Sequence, residues 1–215
     1  MSHSLNEIDA QAKRAARGAG LSWGISEETG KAVRWLASHD LPGVASLADL
    51  LGRIDQAAAE TLAPKTLNGV WASFSGHLCP LLGGAALNDC ADLLARNREI
   101  RMQNVLHPIL LVPFAAWAAL HIKAPVAVSW LKVTFVTDGR KLAVNGPAEQ
   151  INTQTAADVV CKKANALSNA KAPTNRGSVG GKAWARLGEF AQRTYAPATE
   201  ESRLLGAGAG VSDND

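Results

Sequence analysis

The chain has 215 residues, 47% of them hydrophobic and 19% charged, with a formal net charge of +3. That balance excludes an intrinsically disordered chain, and a chain of this length can bury roughly 70 to 75% of its extended surface. So small a net charge speaks against a nucleic-acid partner, which calls for a concentrated basic face.

Three cysteines, odd in number and irregularly spaced, fit free thiols in a reducing compartment. The opening MSHSLNEIDAQ carries acids where a secretory signal has its basic and apolar regions. Ile109 to Ile122, the most apolar run, is too short to span a bilayer. The expected setting is the cytoplasm, with no membrane segment.

In chain order, Ser4 followed by Glu7 has the spacing of a capping box. Leu5, Ile8, Ala12 and Ala15 then recur at helical intervals until Gly18. Ser26 is expected to cap a second helix, with Glu27 and Glu28 in its first turn and an end near His39. DLPG predicts a turn at residues 40–43, because Pro42 disfavours helical geometry at Leu41 and Gly43 frees the backbone. A third helix is expected from Ser46, with Leu47, Leu50, Leu51 and Ile54 on one face. Residues 1–62 thus read as a helical subregion.

Further on, a helix is predicted near Leu87 to Ala95. Pro113 and Pro125 break the apolar stretch after Val105 in a way that suits successive buried strands. The clearest local signal is WLKVTFVTDGRKLAVNG, where Leu131, Val133 and Phe135 alternate with polar residues. Asp138-Gly139 forms a tight turn and Leu142 and Val144 line the returning strand, so a hairpin is expected. A helix is predicted near Thr155 to Leu167, then a glycine-rich loop, then a last helix over residues 182–193. Helices, then strands, then helices indicate an α+β fold with a central antiparallel sheet. The expectation is a single domain over residues 1–215, with the sheet and C-terminal helices in 104–215.

Candidate chemistry concentrates in two stretches. In NRGSVGGKAW, glycines before a helix let backbone N–H groups converge on an anion, to which Arg176 and Lys182 add charge and Gly180 and Gly181 give access. It is not a P-loop, since Ala183 stands where a magnesium-binding Ser or Thr is needed. Toward the end, Tyr195, Glu200, Glu201 and Arg203 gather proton donors and acceptors, and Gly206 and Gly208 permit close approach of a ligand. A flexible connector and a free chain end are the plain alternatives.

His77 and Cys79 stand two apart, which could pair a thiolate with a base but does not guarantee contact, and Cys79 reads more readily as a small buried hydrophobe. Trp23 and Trp35 read as packing anchors, His3 as a mobile terminal residue, and His107 and His121 as core or edge residues. No metal site and no particular cofactor is indicated.

GLSWGISEETGKAVRWLASHDLPG near the start and TYAPATEESRLLGAGAGVSDND at the end resemble an uncharacterised bacterial family known only as a domain of unknown function. The likeness extends over nearly the whole chain. It implies a stand-alone bacterial protein and supplies no reaction or catalytic residues.

Taken together, the residues point to a small anionic metabolite held by Arg176, Gly180, Gly181, Lys182, Arg203, Gly206 and Gly208. Glu200 or Glu201 is the candidate base and Tyr195 the candidate donor; whether the protein is an enzyme is left open. The competing expectation is an interaction module that docks a partner subunit or a second copy through the N-terminal helices or a sheet edge.

Overall fold

A computed structural model describes residues 2–195. The N-terminal strand β1 (Ser2–Ser4) leads directly into helix α1 (Leu5–Gly18). The capping box is present: the Glu7 N–H donates to Ser4 Oγ at 3.2 Å and the Ser4 N–H donates to Glu7 Oε2 at 2.7 Å. Ile8, Ala12, Ala15 and Ala16 form the buried stripe of α1, which packs against α2 (Trp23–Ser38) and α3 (Gly43–Ile54).

Both later helices begin three residues before their expected caps. Ser22, not Ser26, caps α2, and Ser26 is buried inside it, its hydroxyl 3.4 Å from the Leu21 carbonyl. Ser46 is likewise buried inside α3, which starts at Gly43. That glycine serves close packing, not backbone freedom: a Cβ there would lie 2.7 Å from the Leu36 side chain.

Beyond the short helix α4 (Ala59–Leu62) come β2 (Val70–Trp71), α5 (Pro80–Asp89), α6 (Ala91–Ala95) and β3 (Ile100–Leu106). A 3-10 turn at Pro108–Leu111 then opens α7 (Val112–Ile122). The apolar stretch expected to form strands is therefore a buried helix. Ala115, Ala116, Ala118 and Ala119 are strong helix formers, and Pro113 falls in the first turn, where its missing N–H costs nothing. Helix α7 sits between the helical part and the sheet, touching α2 and α5 as well as β4 (Val126–Trp130) and β5 (Val133–Thr137).

The expected hairpin forms between β5 and β6 (Leu142–Asn145), with Thr134 opposite Asn145 and Thr137 opposite Leu142, but a four-residue loop over 138–141 joins the strands in place of the tight turn expected at Asp138-Gly139. Leu131 lies outside it, exposed in the turn between β4 and β5 with a φ of 49°. Residues 155–163, expected as helix, form strand β7 (Thr155–Lys163), which pairs antiparallel with β3 on one side and β4 on the other. Two open strand edges supply a full set of backbone partners, which outweighs the helix preference of its alanines and lysines.

The sheet order is β2-β3-β7-β4-β5-β6. It is mixed, because β2 runs parallel to β3 while every other pair is antiparallel.

A second, two-stranded sheet pairs β1 with β8 (Arg176–Ser178), just before α8 (Gly181–Gln192). It holds His3 in place, stacked on Trp184 with ring centroids 4.1 Å apart, so this residue is not a loose terminal one. Among the described residues α8 is the one helix after the large sheet. One contiguous buried cluster runs from Ile8 in α1 through Leu36, Leu110 and Phe114 to Val159 and Phe190. The architecture is α+β.

Candidate functional site

The most enclosed of the hollows described lies where the end of α2 meets the outer edge of the sheet, with a cavity volume of about 390 Å³. Four pieces of chain wall it, one of them Ile151 from the connection between β6 and β7. Ser38, His39 and Asp40 come from the end of α2 and its turn. Leu142 and Val144 come from β6, and Asn169, Lys171 and Thr174 from the segment that follows β7.

That last segment is a strap fastened at both ends. Lys171 exchanges two backbone hydrogen bonds with Leu142, at 2.8 and 3.0 Å, and the Thr174 N–H donates to the Ser38 carbonyl at 2.7 Å. Backbone pairing at two points fixes the width of the hollow without relying on side chains.

His39 is held just as firmly. Its Nδ1 lies 2.9 Å from the Trp35 carbonyl oxygen and 3.1 Å from Ser38 Oγ, and its Nε2 lies 3.3 Å from the Arg140 carbonyl oxygen. Arg140 is positioned by the turn of the β5–β6 hairpin, where Asp138 Oδ1 accepts the N–H groups of Arg140 at 2.9 Å and Lys141 at 2.8 Å. Those bonds favour the charged form and push the Asp138 carboxyl below its ordinary range. Gly139 is obligatory in this turn: its φ is 97°, and a Cβ would lie 2.3 Å from Leu120. A hairpin turn thus orients a histidine that sits about a hundred residues earlier in the chain.

The glycine-rich stretch is elsewhere. Arg176 lies in β8, its Nε donating to Ser2 Oγ at 2.9 Å. Gly177 is dictated by packing, since a Cβ there would lie 2.6 Å from Ile8 and 2.9 Å from Ala37. Gly180 caps α8, Gly181 opens it, and Lys182 is exposed in its first turn. A Cβ on Gly180 would meet open space, so close packing does not require a glycine there. Neither Arg176 nor Lys182 lines any of the hollows described.

Tyr195 is exposed, and its hydroxyl accepts a hydrogen bond from Arg14 at 2.9 Å. Glu200, Glu201, Arg203, Gly206 and Gly208 lie outside the described residues.

Cys79 and Cys161 are wholly buried, and burial pushes their thiols up to about 11 and about 12, which leaves them unreactive as nucleophiles at neutral pH. His77 is exposed. Among the described residues, no three His, Cys, Asp or Glu side chains stand together as a metal site. Nor is any helix among them long and apolar enough to cross a membrane. Trp23, expected as a packing anchor, is 63% exposed under the Arg17 guanidinium.

His39, Lys171 and Asn169 were not legible as a site, because they meet only when β6, the strap and the end of α2 come together. The one available signal was Ser38-His39-Asp40, three polar residues at the foot of an amphipathic helix.

A family described as "Protein of unknown function (DUF3726)" matches residues 3–73, which include the SWGISEETGKA segment; the closing TYAPATEESRLLGAGAG lies beyond the match. No curated protein matches the chain. Among solved structures, malate dehydrogenase from Entamoeba histolytica aligns at 10% identity and a TM-score of 0.42, over 73% of this chain. That alignment takes in 49% of the other chain, about half its length.

Proposed function

We propose that this protein binds a small anionic metabolite in the hollow between the end of α2, β6 and the strap. The observation that carries the reading is Lys171, held at the wall by its backbone pairing with Leu142, with no ion-pair partner among the described residues. The ammonium takes the anionic group and the Asn169 amide donates beside it. Asp40 faces the same space and repels a second anionic group, so a ligand whose other end carries a hydroxyl or ammonium is preferred. Leu142, Val144 and Ile151 form the apolar wall, and His39 supplies a ring that can donate or accept a proton.

The test is a melting-temperature screen of phosphates, hydroxycarboxylates and amino carboxylates against the wild type and K171M. A ligand that raises the wild-type Tm and leaves K171M unmoved supports the reading. Equal shifts in both proteins, or no shift with any compound, overturn it.

A second reading, docking of a partner chain, rests on the exposed side chains of Leu67, Val70 and Phe74 beside the edge strand β2. Sizing the wild type beside F74S tests it: a larger species in the wild type alone favours docking there, and identical elution goes against it.

A further inference from the structure

The strap that closes the first hollow has another hollow on its far side, of about 420 Å³, between α1, α2, α7 and residues 173–175. Its lining is chemically different. Two indoles, Trp35 and Trp117, share it with two cations, Lys31 and Arg34. We propose that this second hollow binds a flat aromatic anion, its ring resting on the indoles and its phosphate or carboxylate on Lys31 and Arg34.

The placement follows from helical spacing. Lys31, Arg34, Trp35 and Ser38 stand at i, i+3, i+4 and i+7, so they share one stripe of α2. An exposed stripe of this kind is ordinarily a solvated face, with the tryptophan lying flat along it. Here the stripe forms one side of a shallow, open depression that Leu5, Trp117 and Pro173 also line. Both indoles are half-buried, so each keeps surface open to the hollow.

Both rings are also fixed before any ligand arrives. Trp35 lies against His39, the rings tilted by 30° with centroids 4.0 Å apart. Trp117 meets Phe114 edge to face at 4.9 Å, and Phe114 is fully buried against Gly84, where an added Cβ would lie 2.4 Å from its ring. A platform already in place spares the ordering cost that a mobile tryptophan would impose on binding. Stacking on aromatic rings tolerates many flat ring systems, so the indoles favour the class and not one member of it.

The charges select the sign. Lys31 makes no hydrogen bond or ion pair among the described residues, and Arg34 makes one long contact, 3.9 Å, to Asp9. Glu27 and Glu28 act on Lys31 from the same helix, yet neither lines the hollow. The cations are therefore open to an incoming anion, and a guanidinium beside an ammonium suits either a phosphate or a carboxylate.

The proposal is tested by titrating the full chain with adenosine 5′-monophosphate and with 2-naphthoate, following tryptophan fluorescence and binding heat. Adenosine and inorganic phosphate serve as controls for ring alone and charge alone. Saturable binding of either probe is expected, at least tenfold tighter than its controls, and weakened tenfold or more in the surface double variant K31A/R34A. W117L is expected to weaken binding of ring-bearing probes alone. K171M is expected to leave it unchanged, which separates this site from the one proposed above.

No binding of either probe, equal affinity for adenosine and its monophosphate, or unchanged affinity in a folded K31A/R34A protein would each overturn the proposal. Phosphate binding as tightly as the nucleotide would leave an anion site without an aromatic one, and overturns it too.

Discussion

The imidazole of His39 lies against the indole of Trp35, ring centroids 4.0 Å apart, one helical turn along α2. Each ring faces a different hollow, and the pair forms part of the wall between them. The carbonyl of Trp35 also meets His39 Nδ1 at 2.9 Å, so the ring contact and the hydrogen bond hold the same geometry. Replacing His39 with alanine removes both, along with the contact to Arg140. The expected cost is about 1 to 2 kcal/mol. Urea unfolding measures it, and a change in tryptophan emission in the folded state should accompany it. An unaltered midpoint would mean that the ring contributes nothing to joining α2 to the hairpin turn.

Stability should depend on pH through His107. This residue is 1% exposed, neither ring nitrogen has a hydrogen-bond partner, and its φ is 38°. Burial, with Arg53 adding to it and Asp49 opposing, pushes its pKa below the ordinary 6.5. The unfolded ring then takes up a proton on acidification before the folded one does, so stability is full above about pH 6.5 and is lost as pH falls below it. Glu28 is shifted upward by burial and works in the opposite sense, so the readout is a comparison of proteins. Asparagine tolerates a left-handed backbone, which makes H107N the suitable variant. Its urea midpoint should fall less than that of the wild type between pH 6.5 and 5; parallel curves would remove His107 as the source.

Two glycines should respond in opposite directions to alanine. At Gly84 the new Cβ would lie 2.4 Å from the Phe114 ring, and G84A is expected to destabilise by about 1 to 3 kcal/mol through overpacking. At Gly52, exposed within α3, a Cβ meets nothing within 4 Å, and G52A should stabilise by roughly 0.5 to 1 kcal/mol. Thermal unfolding of the two variants decides it. A stable G84A would show that α5 can shift away from α7.

Thiol reactivity should divide the cysteines. Cys90 is half-buried, whereas Cys79 and Cys161 are fully enclosed with their thiols raised to about 11 and about 12. Iodoacetamide on the folded protein should modify Cys90 first, and the other two only in denaturant, as followed by peptide mass. Rapid labelling of Cys79 in the native state would contradict its enclosure at the start of α5.

Sequence alone was sufficient for some local signals, though not for the caps expected at Ser26 and Ser46, which lie inside their helices. Ser4 and Glu7 specify a capping box because both partners lie within one turn, and Asp138-Gly139 specifies a hairpin because the turn chemistry sits between two alternating runs. The helical first third and the α+β class follow from the same kind of pattern. What failed locally failed for a reason. Residues 155–163 carry alanines and lysines that suit a helix, yet their neighbours in space are two strands with unpaired edges. In α7 the four alanines and the first-turn Pro113 are local helix signals, which the expectation of successive strands underweighted against the prolines as breaks.

The hollows belong wholly to the tertiary structure. Lys171 and His39 lie on one cavity because backbone bonds from Leu142 and Ser38 fasten the strap, and no spacing in the chain encodes those pairings. Periodicity determined which faces of the helices are buried, since apolar area alone drives that choice. Which polar residues came to share a cavity was decided by the long-range hydrogen bonds that closed the sheet edge against α2.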